Sequence, residues 1–417
     1  MKSIVKAWTG LSLIKRIIIG LIVGIILGLL VPKATGIAIV GTLFVTALKS
    51  VAPILVLFLI MSAICLHKKG EKTNMLNIIV LYLVSTFLAG TLAVITSYLF
   101  KTKLILGDAA KDIQPPSGLT EVLTQLLNNL VSNPLDAVVN ANFLGVLAWA
   151  VLLGVALMKA KESTKQVVQD ISDALSVIVR WVISFAPLGV MGLVFDAISN
   201  NGIGVLSAYG KIILLLVLTM VADALIVNPI IVFTQIRQNP YPLVLRCLKD
   251  SGLTAFFTRS SAANIPVNMQ LCKNLGLDRN TYAISIPLGA TINMAGAAIT
   301  ISVLTLSCCF TIGINVPIPL AIVLAVLSAL SACGASGVPG GSLLLIPLAC
   351  SLFGIPADVA AQVIGVGFIV AVIQDSCETG LNSSSDVLFT ATADFKRQKR
   401  EGKIDRINLK KNKEKTA

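Results

Sequence analysis

The chain has 417 residues, 56% hydrophobic and only 13% charged, with a net charge of +13. Eight to ten apolar runs of about 20 residues each would take up most of that length, which excludes a soluble domain with a buried core and leaves no room for a large extramembrane one. The runs are continuous rather than alternating, so an all-α polytopic membrane protein is expected instead of a barrel, and the positive charge, concentrated at the ends and in short loops, reports orientation rather than nucleic-acid binding.

Met1 to Arg16 is basic and leads into an apolar run, Leu11 to Val31, without a small-residue cleavage site, predicting a first helix that is retained. A second run, Ile37 to Leu66, is longer than about 20 residues and must tilt or bend. A basic loop, His67 to Lys72, precedes the third span, Met75 to Phe100. Lys101 to Asn142 is mixed, with Asp108, Asp112, Pro115, Pro116 and Glu121. The fourth span ends near Met158, the fifth runs from Val167 to Ile198 and the sixth from Ile212 to Ile236. Arg180 and Asp223 fall inside these runs and are read as interface or interspan partners rather than ligands. The tail from Lys396 to Lys415 is strongly basic and lacks interleaved aromatics. Placing the amino terminus, the loops near His67, Lys161 and Arg237, and the tail on one side satisfies the positive-inside rule and makes both termini cytoplasmic.

After Arg237 the chain offers more apolar segments than that parity allows as simple spans. Two are interrupted: Leu245 to Leu271 by Thr258 to Pro266, and Ile318 to Phe353 by Ser331 to Ser342. Such a density of Ser, Gly and Pro predicts helical hairpins that enter part-way and turn at a polar tip. Each precedes a polar-marked helix, Tyr282 to Leu306 with Thr291 to Gly296 at its centre, and Ala357 to Phe389. Hairpin, helix, hairpin, helix is an internal repeat, and parity sets its halves in opposite orientations, the first hairpin entering from the cytoplasm and the second from outside. Inverted repeats with interrupted segments mark secondary transporters with sites near the midplane.

The last helix carries the densest signal. Asp375, Glu378, Thr379, Asn382 and Asp386 stand at offsets of three, four, seven and eleven, so on a helix they form one polar stripe with three carboxylates. Carboxylates in a span are costly unless they face a protein interior, a cavity or a partner, so the stripe reads as a site. A cytosolic loop after a short span, or structural capping and pairing with Arg259, are the plainer readings. The eight cysteines lack metal-type spacing and His67 is the only histidine, so neither a zinc site nor an intramembrane protease with a nucleophile and base in reach is expected.

In Thr258 to Pro266, Pro287 to Gly296, Gly337 to Gly340 and Asp375 to Asp386, in that order, the chain resembles the dicarboxylate/amino-acid:cation symporter family, the glutamate-transporter fold, and within it the bacterial sodium:serine/threonine symporters. The resemblance implies eight transmembrane helices plus two re-entrant hairpins, no enzymatic activity, an inner-membrane location and a homotrimer. It also implies a division into scaffold (residues 1–73 and 106–204), mobile transport unit (74–105 and 205–395) and basic tail (396–417). Asp375 would receive the substrate α-amino group, with polar contacts from Thr379 and Asn382. Ser260 and Ser261 of one tip and Ala335, Ser336 and Gly337 of the other would hold the carboxylate. A zwitterion in a dry site does need an anion and donors together. Sodium, a hard cation that prefers oxygen, would take one site from Asp386, Asn293, Gly289 and Asn382. A second would come from Thr291, the Met294 sulfur, Ala332, Cys333 and Ala335.

Two departures shape the expected specificity. Glu378 stands where acidic-substrate members place an arginine, which predicts a small, neutral, hydroxylated amino acid. Glu378 either pairs with Arg259 or is protonated, and the sequence leaves both open. Ala295 stands where an aspartate usually completes a further sodium site with Tyr82, Ser85, Thr86 and Asn293, so fewer coupled sodium ions are expected. Ala297 likewise replaces a common hydroxyl that contacts substrate. An acidic amino acid or dicarboxylate as substrate, or a proton as coupling ion, is the rival reading.

Overall fold

The computed structural model describes residues 11, 13–66, 75–106, 128, 131–333 and 340–404. Among them the secondary structure is helical, with no strand. In chain order the helices are α1 (Leu13–Leu30), α2 (Ala38–Cys65), α3 (Met75–Leu99), α4 (Pro134–Val139), α5 (Phe143–Leu157), α6 (Glu162–Ser184), α7 (Ala186–Asn201), α8 (Val205–Ala222) and α9 (Asn228–Ile236). They continue as α10 (Tyr241–Cys247), α11 (Leu253–Thr258), α12 (Ser261–Asn274), α13 (Arg279–Ile292), α14 (Ala295–Ile312), α15 (Ile318–Ala332), α16 (Ile346–Ser351) and α17 (Ala357–Arg400). The eight expected spans correspond to α1, α2, α3, α5, α6 with α7, α8 with α9, α13 with α14, and α17. Five described stretches have the length and apolar composition to cross a membrane, those built on α2, α3, α8–α9, α13–α14 and α17.

The expected fifth span is not one straight helix. It is the pair α6 and α7, bent by 53°, with Pro187 in the first turn of α7, where its missing N–H and fixed φ suit a helix start and not a continuation. The first half of α6, Glu162 to Asp173, is polar and exposed along one face, which a search for apolar runs passes over.

Helix α7 lies along α1 and α2, and glycines explain how closely. A Cβ at Gly20 would fall 2.1 Å from the Pro187 carbonyl oxygen and one at Gly24 2.5 Å from that of Met191. Gly192 returns the approach against the Gly41 nitrogen, where a Cβ would fall at 2.4 Å. Small residues four apart let helix backbones touch, the main packing gain available where lipid is as apolar as the side chains.

The first expected hairpin is present. Its first arm is α10, a π turn (Leu248–Gly252) and α11. The chain reverses at Arg259, left-handed at φ 52°, and at extended Ser260, then returns as α12. Ser251 Oγ donates to Asn268 Oδ1 at 2.5 Å across the two arms. Left-handed backbone costs a non-glycine residue roughly 1–2 kcal/mol, a cost held by what Arg259 binds. The second hairpin rises as α15 and returns through a 3-10 turn (Gly341–Leu345) and α16, with Gly340 at φ 72°. Its expected tip contributors Ala335, Ser336 and Gly337 lie outside the described residues, as do the His67 loop and the tail beyond residue 404.

Helices α13 and α14 are one span broken at Asn293 (φ −95°, ψ 79°) and Met294 (φ −120°, ψ 49°). From Ala295 to Cys309 every residue of α14 is buried, so this helix is enclosed on all sides. Helix α17 packs against α14, α13, both arms of the first hairpin and α8, and is buried from Glu378 to Phe395 without interruption. Core and candidate site therefore coincide.

Candidate substrate and cation site

All five residues of the stripe are enclosed: Asp375 is 4% exposed, Glu378 6%, Thr379 6%, Asn382 2% and Asp386 1%. The stripe lies on one 44-residue helix inside the protein, not in a loop after a short span.

Asp375 joins the two hairpins. Its Oδ2 accepts from Arg259 Nε at 2.7 Å and lies 2.6 Å from Nη2, and its Oδ1 accepts the Gly340 N–H at 3.4 Å. Arg259 therefore does not pair with Glu378, and that alternative is corrected. The guanidinium is used up on a carboxylate three residues before Glu378, because the reversal at Arg259 points it there. Glu378 Oε2 instead lies 2.8 Å from Thr300 Oγ1, 2.8 Å from Ser342 Oγ and 2.5 Å from Gln374 Nε2. These three were not anticipated. Gln374 stands one turn before Glu378 on the same helix and the spacing would have shown it; nothing in sequence joins Thr300 or Ser342 to that position. Asp375 at one end and Glu378 at the other offer acceptors to an ammonium and a hydroxyl, while the nearby Arg259 guanidinium is already taken up by Asp375.

Thr379 turns its hydroxyl back to the Asp375 carbonyl at 2.7 Å. Asn382 closes the break in the seventh span: its Oδ1 accepts the Gly296 N–H at 2.7 Å, its Nδ2 donates to Met294 Sδ at 3.4 Å and its carbonyl accepts from Asn293 Nδ2 at 3.3 Å. Gly296 is required there, since a Cβ would fall 2.8 Å from the Glu378 Cα. Ser260 caps α12, its Oγ accepting the Ala263 N–H at 3.2 Å, while Ser261 is buried and Ala297 is wholly enclosed among apolar neighbours.

Gly289, Asn293, Asn382 and Asp386 converge as expected for a cation. Asn293 Nδ2 donates to Asp386 Oδ1 at 2.9 Å, and a Cβ on Gly289 would fall 2.7 Å from that oxygen and 2.9 Å from Tyr82 Oη. Asp386 Oδ2 and Asn293 Oδ1 are buried with no hydrogen-bond partner. Unsatisfied oxygens in a dry site are costly, and a hard monovalent cation fits both. Of the second set, Cys333 Sγ donates to the Ile292 carbonyl at 3.4 Å, bringing Ala332 and Cys333 beside the turn of Thr291 and Met294. The third set is divided. Tyr82 Oη reaches Thr390 Oγ1 at 2.9 Å and the Asp386 carbonyl at 3.1 Å, Thr86 bonds the Tyr82 carbonyl, and Ser85 Oγ donates to Asn228 Oδ1 at 3.2 Å.

A further polar seam binds the first hairpin to α17: Asn264 Nδ2 donates to Ser383 Oγ at 2.8 Å and Asn268 Nδ2 to the Ser383 carbonyl at 3.0 Å. The two asparagines, four apart in an apolar arm, were the available signal for it.

Residues 13–395 match the sodium:dicarboxylate symporter family. A protein named serine/threonine transporter SstT from Streptococcus agalactiae serotype Ia is 60% identical over 395 residues, 94% of this chain and 98% of that one. One of the same name from Streptococcus thermophilus LMD-9 is 57% identical over 401 residues, 96% of this chain and 100% of that one. With the broken span, the hairpins and the buried stripe all inside the matched region, the chain belongs to the sodium:dicarboxylate symporter family.

Proposed function

We propose that the chain imports serine and threonine with sodium across a bacterial inner membrane, both termini being cytoplasmic. The observation that carries the reading is the wall formed by Asp375 and Glu378: an anion tied to both hairpins, and a second carboxylate where a clamp for an acidic substrate would need a cation. The names of the streptococcal relatives support the substrate. Asp375 holds the α-ammonium, Thr379 and Asn382 add polar contacts, and the tips (Ser260, Ser261 and Ala335 to Gly337) face the carboxylate. Glu378, steadied by Thr300, Ser342 and Gln374, accepts the β-hydroxyl and repels a side-chain carboxylate. Sodium occupies the Asp386, Asn293, Gly289 and Asn382 oxygens, and the set around Thr291, Met294, Ala332, Cys333 and Ala335.

Sodium stabilises the closed outer hairpin to which substrate binds, and each ligand raises the affinity of the other by the same factor. Residues 74–105 and 205–395 move as the transport unit against a scaffold of 1–73 and 106–204, and three copies assemble through the scaffold. The deciding experiment is radiolabelled serine uptake into proteoliposomes, with sodium outside and then replaced by choline, against excess threonine or aspartate. Saturable, sodium-dependent uptake blocked by threonine and not aspartate is expected; uptake indifferent to sodium, or blocked by aspartate, overturns the reading.

A further inference from the structure

Asp223 has no part in the site described above. It is fully buried where α8 ends, and neither carboxylate oxygen makes a hydrogen bond. No cation pairs with it among the described residues. The chain then makes one π turn, Asp223–Val227, in which the Asn228 N–H bonds the Asp223 carbonyl. That wider turn sets residue 228 over residue 223, and single π turns inside α-helices recur at functional positions. The Asn228 side chain, itself 2% exposed, lies beside the carboxylate without reaching hydrogen-bond geometry. Its Oδ1 takes the Ser85 hydroxyl from α3 at 3.2 Å, and the π turn packs against α3.

An ionised carboxylate inside a span costs several kcal/mol unless an opposite charge meets it. A proton would meet the charge but bring no ligand oxygen of its own to two carboxylate oxygens that have no hydrogen-bond partner. A sodium ion uses what is present. The carboxylate supplies charge, Asn228 Oδ1 keeps a second lone pair, and the Ser85 oxygen keeps its own; these are the hard oxygen donors such an ion takes. We propose that Asp223, Asn228 and Ser85 bind a sodium ion between α3 and the α8–α9 turn, a coupling site separate from Asp386. It would place in the π turn after α8 the negative charge that Ala295 does not supply to this part of α3. The proposal rests on the reading of the chain as a sodium symporter.

Two measurements test it: the ratio of labelled sodium to labelled serine taken up by proteoliposomes, and the sodium-induced thermal stabilisation of the purified protein in detergent without serine. For Asp223→Asn the ratio is expected to fall by one ion, with half-saturating sodium rising about tenfold. Ser85→Ala keeps the charge, so the ratio is expected to hold while half-saturating sodium rises about threefold, the loss of one ligand contact. In an Asp386→Asn background, sodium is expected still to stabilise the protein, and adding Asp223→Asn to reduce that stabilisation further, leaving only what the set around Thr291 and Met294 supplies. The stabilisation is read without transport, so failure of serine uptake would overturn the substrate reading while this site stands or falls on sodium binding. An unchanged sodium response in Asp223→Asn overturns the proposal. So does a flattened pH profile at an unchanged sodium ratio, which would make Asp223 a proton carrier. Should Asp223→Asn not fold, an unchanged sodium response in both Ser85→Ala and Asn228→Ala overturns it equally.

Discussion

Helices α1, α2 and α7 meet backbone to backbone through glycines, whereas α11 to α14 and α17 meet through carboxylates, amides and hydroxyls. The first kind of contact cannot be traded. With a Cβ at Gly20 or Gly24 already inside contact distance of a carbonyl oxygen, no ligand or water takes the place of the neighbour, and the outer side of α1 from Ile18 to Leu29 is apolar, with Ile18, Ile22, Ile26 and Leu29 exposed. The second kind is made of groups that a ligand also carries. A buried hydrogen bond adds about 0.5–1.5 kcal/mol when made but is expensive to leave unmade, so a region built this way tolerates rearrangement only when something polar arrives to complete it. An amino acid brings an ammonium and a carboxylate, and sodium brings a charge. The glycine-packed helices hold contacts that no ligand can replace, whereas the polar-packed ones hold contacts that a ligand can.

The sharpest test of that contrast is Asp375→Ala, which strands the buried Arg259 guanidinium. Removing one partner of a buried pair costs about 3–5 kcal/mol, so loss of serine uptake together with a marked fall in thermal stability in detergent is expected. Adding Arg259→Ala should restore stability without restoring uptake; if it restores neither, the pair is not the element joining the hairpins. On the other side, Gly24→Val is expected to lower stability by about 1–3 kcal/mol by overpacking against Met191. Serine affinity of the folded fraction should stay unchanged, and an altered affinity would show that the glycine contacts belong to the moving part.

The polar-packed region was also the more legible of the two in sequence. Charged and amide residues inside apolar runs are rare enough that Asp375, Glu378, Asn382 and Asp386 announce themselves, and the Ser, Gly and Pro clusters at Thr258 to Pro266 and Ser331 to Ser342 located both hairpins. What sequence could not give was the choice of partner, since it offered Arg259 both to the aspartates of the stripe and to Glu378. Arg259 pairs with Asp375 and not Glu378 because one left-handed residue sets its direction, and the residues around Glu378 come from three elements whose meeting depends on the break at Asn293. Gly20, Gly24 and Gly28 were in plain view, yet their part follows only once α7 is known to lie against them. The bend at Phe185 was hidden because the polar half of α6 does not look like a span.

Two smaller effects refine the comparison. Asn268→Ala would remove the Ser251 Oγ and Ser383 carbonyl bonds of Asn268, leaving Asn264 as the one amide that reaches both serines. Since these bonds lie in a buried seam, their loss should cost about 1–3 kcal/mol, read as lower thermal stability that serine or sodium does not restore.

The smallest concerns the carboxyl-terminal end of α17, where the contact with Asp278 is partly open to water. Arg397 Nη2 lies 3.2 Å from Asp278 Oδ2 and 2.6 Å from Asp394 Oδ1, tying α17 to the start of α13. Partial burial raises the Asp278 carboxyl, but hydrogen bonds from Thr281 and Arg397 outweigh it and hold the group below its ordinary value. A carboxyl depressed on folding adds stability above its unfolded value of about 3.9 and loses that as pH falls through the folded value. About a third of each side chain is exposed, so solvent screens the pair and Asp278→Asn should cost no more than about 1 kcal/mol at neutral pH. The difference from the unaltered protein should shrink with added salt and vanish in acid, as read from thermal stability at several pH values. A larger, salt-independent loss would mean that the end of α17 is held as rigidly as the glycine-packed helices, and the division between fixed and exchangeable contacts would have to be drawn nearer to Asp386.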